Sequence, residues 1–403
     1  MNKKVKIISM SGMPVSGKST VIKSIVKKYE ENGYLKENIH VFSVGKRFRD
    51  YFNKVIELAG NIDNKEVLNR LAQDEDMKRI FTNAEYRKQL ETTIAKLKQS
   101  GYDFEHHDIE KANNSEELAE IRAVVDNIVD NDMKELGKKI LEEDNEKEVW
   151  IMDSRLAFNN IPESFAVRLT VRDDIAAKRL INDNKRGKED SNYKSIDEAK
   201  IKIQERKKGE EERYKEVYDV DLSNPDNYDL IIDTSFADID EIADTIINCE
   251  NDYKKGYYFT KTWASPQIFL PMQGERDTLS KGFGGYDFEE MMKAIQEKGY
   301  DPSSAIDVFE KDGRFYILEG HHRNFVMAYL GKTLIPYELL EDESLKERVK
   351  YIKTVYLFGH EMFFDKKDKD GKRIYTFSYN FVYPGIIKEL QEKEKYLERL
   401  DWD

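Results

Sequence analysis

The chain has 403 residues, enough for two domains that each bury a core. Its 39% hydrophobic and 36% charged residues are typical of a globular protein, and its formal net charge of −13 (66 Lys and Arg against 79 Asp and Glu) argues against a general binder of nucleic acid or anionic membranes. A single cysteine, Cys249, excludes an intramolecular disulfide, and the six histidines form no zinc-type cluster, so a reducing cytoplasm is the expected location.

A short apolar run near the N-terminus leads into a phosphate-loop pattern. Residues 5–11 are mostly apolar, Gly12-x-x-x-x-Gly17-Lys18-Ser19 follows, and residues 21–29 have helical spacing. Glycines let the backbone bend around phosphates at a helix N-terminus, lysine reaches the outer phosphates, and serine ligates Mg²⁺. The apolar run is too short for a signal peptide or a membrane span. The sequence therefore predicts ATP binding by Gly12, Pro14, Ser16, Gly17, Lys18, Ser19 and Thr20, with Ser19 as a metal ligand.

Four further apolar runs predict the remaining strands of a parallel five-stranded sheet in an α/β fold. They span residues 40–44, 148–153, 165–171 and 228–234. The carboxyl ends of such strands form the edge where α/β proteins bind ligands. Asp153 ends the third strand, so we expect it to hold Mg²⁺ through water. Arg49 follows the second strand and is either a ligand of a substrate phosphate or a solvated helix residue.

Residues 50–147 separate the second and third strands and have a helical pattern. Apolar residues recur at threes and fours, and no proline occurs between Pro14 and Pro162. A helical insertion between strands is expected to cover a substrate. Within it, His106-His107-Asp108 suggests a metal site, but adjacent histidine side chains diverge, which favours a solvated turn.

The most basic segment lies between the fourth and fifth strands. Residues 168–215 contain 15 Lys or Arg against 11 Asp or Glu, and Arg172, Arg179, Arg186, Arg206 and Arg213 are spread along them. Phosphate transfer needs cations on the transferred oxygens and the exclusion of water, which a helical lid carrying arginines supplies. The alternative is an exposed helical hairpin of paired charges. Together with the phosphate loop, the pattern favours a lid.

The first 250 residues resemble a cytidylate kinase, within the nucleoside-monophosphate kinase group. The resemblance rests on residues 12–20, Ser43-x-Gly45-x-x-x-Arg49, Asp153-x-Arg155-Leu156-Ala157, residues 206–221 and residues 228–234. It implies ATP with Mg²⁺, a parallel sheet wrapped by helices, and phosphate transfer to a nucleoside monophosphate such as CMP. It further implies that Lys18 and Ser19 handle ATP and Mg²⁺, that Arg49 and Arg155 hold the acceptor phosphate, and that Arg179, Arg206 and Arg213 act on the transition state or the donor.

The sequence departs from this pattern between the second and third strands. The span is longer than in a compact cytidylate kinase, with an added helical stretch near residues 85–145. Because that region binds the acceptor in the family, the resemblance predicts the ATP-binding site but not the identity of the acceptor. A small molecule other than a nucleotide is the alternative acceptor.

Composition shifts after Cys249, and residues 251–403 are expected to form a smaller α+β domain. Apolar runs on both sides of Lys311-Asp312-Gly313 predict a hairpin. Residues 319–323, Glu-Gly-His-His-Arg, then begin a predicted helix, and a basic turn at a helix N-terminus suits an anion. The aspartates between residues 365 and 370 lack EF-hand spacing and are typical of a solvated turn.

Independently, residues 264–340 resemble the ParB/sulfiredoxin-like superfamily through this Gly-His-His-Arg signature. His321 stands where sulfiredoxin has a cysteine, so redox chemistry of that type is excluded. The free serine kinase branch is more similar, and it implies that Gly320, His321, His322 and Arg323 hold nucleotide phosphates. It also implies that Glu319, in place of the usual aspartate, acts as a base on a small hydroxyl compound.

The sequence thus predicts a two-domain phosphotransferase, with residues 1–250 as the kinase and residues 251–403 as a nucleotide-binding domain. In one hypothesis both domains are kinases, and in another the C-terminal domain is a sensor that regulates the first. A ParB-like role in binding nucleic acid is disfavoured by the acidic charge. The expected partners are nucleotides and small-molecule substrates. The sequence does not decide whether the chain forms a homo-oligomer.

Overall fold

The computed structural model describes residues 4–60, 73–102, 104, 118–182, 193, 195–270, 288–311, 313–342, 366–367 and 373–374. Two compact units are distinguished. Unit 1 comprises Met1–Ser11 and Gly33–Ala166, and unit 2 comprises Gly12–Asn32 and Val167–Asp403. The predicted turn at His106-His107-Asp108 lies outside the described residues, as does the aspartate turn apart from residues 366–367.

Helices and strands alternate through most of the described chain. The helices are α1 (Lys18–Glu31), α2 (Val44–Gly60), α3 (Glu75–Thr82), α4 (Ala84–Gln99), α5 (Ala119–Glu143), α6 (Ala157–Asn160), α7 (Asp173–Asn182), α8 (Ile196–Tyr218), α9 (Ile239–Lys255), α10 (Phe288–Lys298) and α11 (His321–Tyr329). The strands are β1 (Lys6–Gly12), β2 (Ile39–Ser43), β3 (Val149–Asp153), β4 (Phe165–Thr170), β5 (Leu230–Asp233), β6 (Thr262–Ala264), β7 (Phe269–Leu270), β8 (Ile306–Lys311), β9 (Arg314–Glu319), β10 (Ile335–Leu339), β11 (Lys366–Lys367) and β12 (Arg373–Ile374).

Unit 1 combines parallel strands with the helical insertion. β3 pairs in parallel with β1 on one side and β2 on the other, and Ser43 lies opposite Asp153 in the β2 register. Buried apolar residues of α2, α3, α4 and α5 form a helical core, and a second core joins the strands to α5 and α6. The predicted helical insertion is therefore confirmed for its described residues.

Unit 2 contains strands from both sides of residue 250. Its described strands run in the order β4-β5-β6-β10-β8-β9-β7. β5 pairs in parallel with β6 through Ile231 opposite Thr262 and Ile232 opposite Trp263. The strands beyond residue 250 thus extend the sheet that holds β4 and β5, and the domain boundary at residue 250 stays a prediction.

Local sequence explains where the main helices of unit 2 begin and end. Asp238 caps α9 by accepting the N–H groups of Asp240 and Glu241, and Gly256, with φ of 71°, ends it. Ser195 caps α8 in the same way through the N–H of Glu198. α9 packs against α1, where Ser24 Oγ donates to Asp240 Oδ1 at 2.5 Å.

The predicted strands and hairpin are present, with one difference at β2. All five strands predicted in the first 250 residues are found, and β8 and β9 form the predicted antiparallel hairpin. α2 begins at Val44, directly after β2, so Gly45 and Arg49 lie in the first turns of a helix. The mixed α/β class is confirmed.

Candidate functional site

The phosphate loop joins β1 to the N-terminus of α1. Gly17 adopts φ of 81°, a left-handed conformation that favours glycine, and α1 begins at Lys18 with no side chain capping its first turn. The Ser16 N–H donates to Met13 O at 3.1 Å, and the Met13 N–H donates to Leu169 O of β4 at 2.9 Å. The backbone therefore curves around the end of an uncapped helix, which is an anion-binding arrangement.

The inside of the loop has no room for another side chain. A Cβ added to Gly12 would lie 2.7 Å from Ser16 Oγ and 3.4 Å from Leu169 Cβ. Ser16 is 2% exposed, and its hydroxyl has no hydrogen-bond partner among the described residues. A buried hydroxyl without a partner costs free energy unless a ligand supplies the bond, so the loop fits a phosphate.

The loop stores backbone strain at Val15. This β-branched residue has φ of 61°, a conformation that costs roughly 1–3 kcal/mol for a residue other than glycine. Pro14 beside it is buried. Such strain persists only where the surrounding structure holds the backbone in place.

Two residues outside the loop hold it in this shape. The Thr234 hydroxyl, just after β5, lies 2.9 Å from Ser16 O and 3.0 Å from Thr170 O, and these two carbonyls share its single proton. Arg179 of α7 donates to the Thr234 hydroxyl at 3.2 Å, to Thr234 O at 2.5 Å, and to Val15 O at 3.5 Å. The sequence predicted Arg179 as a catalytic arginine of the lid; here its guanidinium donates mainly to Thr234 and reaches a single loop carbonyl, Val15 O.

A carboxylate adjoins this network. Asp233 ends β5 and accepts the N–H of Ser235 at 2.7 Å. Burial raises the pKa of its carboxyl, although the Ser235 hydrogen bonds and the charges of Arg172 and Arg179 oppose that shift. Burial also lowers the pKa of Arg179, opposed by Asp233. The sequence analysis gave Thr234 and Asp233 no role, although both stand at the carboxyl end of a predicted strand.

The side chains that follow the loop lie on the first turn of α1. Lys18 is half-buried, and Ser19 and Thr20 are exposed. The Thr20 N–H donates to Gly17 O at 2.9 Å, which closes the first turn. Ser19 therefore presents a hydroxyl at the helix N-terminus, as its predicted role as a Mg²⁺ ligand requires.

Asp153 lies in unit 1, at the end of β3. Its Oδ2 accepts a hydrogen bond from Ser43 Oγ at 2.9 Å, across the paired ends of β2 and β3. This bond orients a half-buried carboxylate at the carboxyl edge of parallel strands. Its metal role stays a prediction.

The two predicted acceptor-binding arginines also lie in unit 1. Arg49 is exposed on the first turns of α2, and Arg155 is half-buried just after β3. The Gly45 Cβ position lies 3.7 Å from Arg49 Nη1, so the guanidinium folds back over the start of its own helix.

The sequence analysis missed a polar cavity of unit 1. It has a volume of about 890 Å³ and is lined by residues of β2, α2, α4 and α5, among them Arg47 and Asp132. Tyr51 OH donates to Asp132 Oδ2 at 2.7 Å, and Arg47 lies over the Phe42 ring at 4.9 Å. Arg47 is two residues before the predicted Arg49. The spacing of the two arginines does not show which side chain lies on the face of α2 that lines the cavity.

Two of the other predicted lid arginines, Arg206 and Arg213, lie on the outer part of α8, whereas Arg172 directly precedes α7 and Arg186 lies outside the described residues. Arg206 is exposed and pairs with Glu210 at 3.3 Å, and Arg213 lies over the Tyr214 ring at 5.9 Å. α7 and α8 pack together, which agrees both with the predicted lid and with its alternative, an exposed helical hairpin, so the lid stays a prediction. The catalytic roles of Arg206 and Arg213 stay predictions.

A second uncapped helix N-terminus occurs at α11. Gly320, with φ of 93°, precedes the helix, and a Cβ there would lie 2.6 Å from Ile306 Cγ2. Beside it is a cavity of about 610 Å³ lined in part by Lys298, Ser304, Glu319, His322 and Arg323. Arg323 Nη1 donates to Ser304 Oγ at 2.9 Å. Glu319, His322 and Arg323 thus line one cavity together with Lys298 and Ser304, and their predicted roles stay predictions.

His321 differs from its neighbours because it is buried under the first turn of α11. It is 8% exposed and is not among the residues that line the cavity. Burial, with a smaller contribution from His322, lowers the pKa of His321 to about 4. The imidazole is therefore neutral at pH 7 and does not bring positive charge to a bound phosphate.

This shift predicts how stability depends on pH. The folded pKa of about 4 lies below the ordinary value of 6.5, so the unfolded chain binds more protons between these values and stability falls as the pH falls through that window. The loss from pH 8 to pH 5 is about 2 kcal/mol for this one group. Urea unfolding of the wild type and His321→Asn at both pH values measures it.

We expect the wild type to lose about 2 kcal/mol more than His321→Asn between these pH values. His322 is present in both proteins, so its own lowered pKa cancels in the comparison. Equal pH dependence of the two proteins would contradict a buried neutral His321.

The described part of the chain shows neither a membrane span nor a cluster of metal ligands. None of its helices has the length and apolar character needed to cross a bilayer. Within the same residues, no group of three or more His, Cys, Asp or Glu side chains is placed to hold a metal ion.

Three comparisons relate the chain to known proteins. Over 125 residues the chain is 33% identical to a cytidylate kinase of Methanosphaera stadtmanae. The matched stretch is 31% of this chain and 68% of that protein. Over 113 residues the chain is 37% identical to an S-adenosylmethionine-dependent nucleotide dehydratase of Lacinutrix mariniflava, and there it spans only 22% of the relative's length and 28% of its own. A crystal structure of an uncharacterized protein from Eubacterium ventriosum matches at 17% identity and a TM-score of 0.32, over 61% of this chain and 98% of that one, too weakly to define a fold.

A family model places the match within the N-terminal part of the chain. The cytidylate kinase-like family model matches residues 57–236, so residues 251–403 lie outside it. The match runs from the last turn of α2 to the residues after β5 and includes Asp153, Arg155, α7 and α8, whereas the phosphate loop (residues 12–20) and Arg49 precede it. With the identity to the Methanosphaera stadtmanae kinase, this shows that the chain belongs to the cytidylate kinase-like family.

Proposed function

We propose that the chain is an ATP-dependent kinase that phosphorylates a nucleoside monophosphate of the CMP type. The observation that carries the proposal is the phosphate loop, whose uncapped helix N-terminus and unpartnered Ser16 hydroxyl fit a phosphate. The family supports a nucleotide as substrate. The proposed ATP-binding residues are those of the loop, from Gly12 to Thr20.

The proposed reaction is an in-line phosphate transfer. An oxygen of the acceptor's phosphate attacks the γ-phosphorus of ATP, the bond from that phosphorus to the β,γ-bridging oxygen breaks, and ADP leaves with the electron pair. Lys18 supplies positive charge to the outer phosphates, and the loop N–H groups hold them in place. Mg²⁺, which Ser19 would help to hold, neutralises phosphate charge when bound.

The family favours CMP as the acceptor. Arg49 and Arg155 are the proposed ligands of its phosphate, and Arg206 and Arg213 the proposed lid cations. Residues of α3, α4 and α5 line a large cavity in the region proposed to bind the acceptor. The alternative acceptor is therefore a different small molecule that carries a phosphate or hydroxyl group.

An acceptor screen tests this proposal. ADP release is measured with ATP, Mg²⁺ and each of CMP, dCMP, UMP, AMP, GMP and a set of small hydroxyl compounds. We expect kcat/KM for CMP or dCMP to exceed that for AMP and GMP by at least about tenfold, which corresponds to about 1.4 kcal/mol of discrimination. ADP release that no nucleoside monophosphate stimulates would contradict the proposal.

We also propose that residues 251–403 form a second, ParB/sulfiredoxin-like nucleotide-binding domain. The supporting observation is the cavity beside Gly320, where Lys298, His322 and Arg323 converge on an uncapped helix N-terminus. If the domain is a kinase, Glu319 takes the proton of a substrate hydroxyl while its oxygen attacks the γ-phosphorus and ADP leaves. If it is a sensor, the same groups bind a nucleotide without turnover.

Substitution of Glu319 separates the two roles. Glu319→Gln keeps the shape of the side chain and removes the base, so transfer to a serine-like alcohol is lost if the domain is a kinase, while nucleotide binding persists in both cases. Glu297→Gln, on the exposed face of α10, is the matched control and should change neither property. Absence of nucleotide binding in the wild type beyond that of the N-terminal site would contradict both roles.

A further inference from the structure

The sheet beyond residue 250 has two apolar faces that belong to different cores. Leu270, Phe309 and Tyr316 lie on one face, which we call the lid-contact face, and Phe269, Val308, Phe315 and Ile317 lie on the other. The strand pairing agrees with this division, because Leu270 lies opposite Tyr316 and Phe269 lies opposite Phe315. Side chains alternate between faces along a strand, so β9 contributes to both cores.

The lid-contact face shares one hydrophobic core with the lid helices. That core contains Ile175, Ala176, Ala177 and Leu180 of α7 and Ala199 and Ile203 of α8, together with Leu270, Phe309 and Tyr316. Phe309 and Tyr316 stack with ring centroids 5.6 Å apart. Each of these three C-terminal side chains is at most 8% exposed.

The same core reaches the phosphate loop. Met13 and Val15 pack against it, and Arg179, on the anchored helix α7, donates to Val15 O and Thr234 O. A contiguous set of contacts therefore runs from Tyr316 through α7 to the loop. Removing α7 from the sheet would expose its buried residues and withdraw Arg179 from Val15 O of the loop and from Thr234, which holds the loop.

The outer part of the lid lacks this anchor. After Ile203, no residue of α8 is buried, and Arg206 and Arg213 lie in that part. We propose that the lid-contact face holds α7 and the start of α8 in place, so that the C-terminal sheet positions Arg179 at the phosphate loop. Lid motion is then confined to α8 beyond Ile203.

This proposal rests on the proposed kinase function for the lid and for the kinetic readout, whereas the hydrogen-exchange test of α7 does not depend on that function. It makes the C-terminal domain a positioning element of the first active site, whether or not that domain binds a ligand of its own. Leu318 of β9 packs against the core that the lid-contact face shares with α7 and α8, and the next residue, Glu319, lines the C-terminal cavity. A ligand in that cavity therefore adjoins the strand that contacts the lid helices.

Hydrogen exchange on the full chain tests the proposal through two adjacent residues of β9. Tyr316→Ala removes a side chain from the lid-contact face, and Phe315→Ala removes one from the opposite face. We expect amide exchange in α7 to become at least about tenfold faster in Tyr316→Ala, because local opening of α7 becomes easier. In Phe315→Ala the faster exchange should occur in α10 and α11 instead.

Steady-state kinetics add a readout that general destabilisation would not give. Loss of folded protein lowers kcat alone, whereas displacement of Arg179 and the loop in Tyr316→Ala should raise the KM for ATP about tenfold and leave the KM for the acceptor unchanged. If Tyr316→Ala does not fold, Tyr316→Leu keeps an apolar side chain and should give a smaller change in the same direction.

Two outcomes would overturn the proposal. One is α7 exchange within about twofold of the wild type in a folded Tyr316 variant, and the other is equal acceleration of α7 in the Tyr316 and Phe315 variants. Failure of the kinase proposal is distinguishable, because it would leave the wild type without phosphate transfer while α7 still responds to Tyr316→Ala.

Discussion

Lys18→Met is expected to lower the rate of phosphate transfer by about a thousandfold or more. Lys18 begins α1 directly after Gly17, and in the proposed reaction its ammonium group stabilises charge on the transferred phosphate. Methionine keeps a long flexible side chain and removes the charge. The measurement is kcat for ADP formation with ATP and the best acceptor.

The matched control is Lys23→Met on the same helix. Lys23 is exposed on α1, so the same change in charge and volume occurs away from the loop. We expect its kcat to stay within about twofold of the wild type, because exposed charges have small effects. Comparable losses in both variants would show that the charge of α1, and not the position of Lys18, sets the rate.

Thr234→Val is expected to weaken ATP binding and to destabilise the fold. The Thr234 hydroxyl is buried and serves three partners, Ser16 O, Thr170 O and Arg179 Nη1. Valine has nearly the same shape, so the loss is one of hydrogen bonding, and it leaves buried groups unpaired at a cost of about 1–3 kcal/mol. Urea unfolding measures the free energy, and the KM for ATP should rise about tenfold as the loop relaxes.

Thr245→Val is the control for this experiment. Thr245 is also buried, but its hydroxyl donates only to Glu241 O of the preceding turn of α9, at 2.8 Å. That carbonyl also takes part in the helix, so the substitution should cost well under about 1 kcal/mol and leave the KM for ATP unchanged. Equal effects of the two substitutions would remove the special role of Thr234.

The local elements of the fold were predictable because their signals lie within a few residues. The phosphate loop, the five strands and the β8–β9 hairpin each follow from glycines, apolar runs and turn residues close together in the sequence. Gly17, Gly313 and Gly320 all adopt positive φ, as their predicted turns require. Local backbone geometry is encoded by residue type, so these predictions are confirmed.

The long-range contacts were not predictable from the same patterns. Residues 315–318 are Phe-Tyr-Ile-Leu, apolar on both faces, which indicates a strand buried on both sides but does not name what covers each side. The structure places the lid on one face and α10 and α11 on the other. Pairing of β6 with β5 likewise depends on neighbours far apart in sequence.

In the candidate site, too, the sequence predicted the type of residue but not the groups that its side chain contacts. Arg179 was predicted as a cation of a lid; it lies on α7, and its hydrogen bonds to Val15 O and Thr234 O depend on how α7 packs. His321 was predicted to hold phosphate with His322 and Arg323, yet the turn of α11 buries it. A motif gives the residues of a site, and the packing around them decides which side chains reach it.

The central claim is that the phosphate loop transfers the γ-phosphate of ATP to a nucleoside monophosphate. The most direct measurement follows label from [γ-³²P]ATP in the presence of Mg²⁺ and CMP and separates the nucleotide products. The wild type should place the label in CDP, and Lys18→Met should not. Label that stays in ATP, or that is released only as inorganic phosphate with every nucleoside monophosphate tried, would contradict the account.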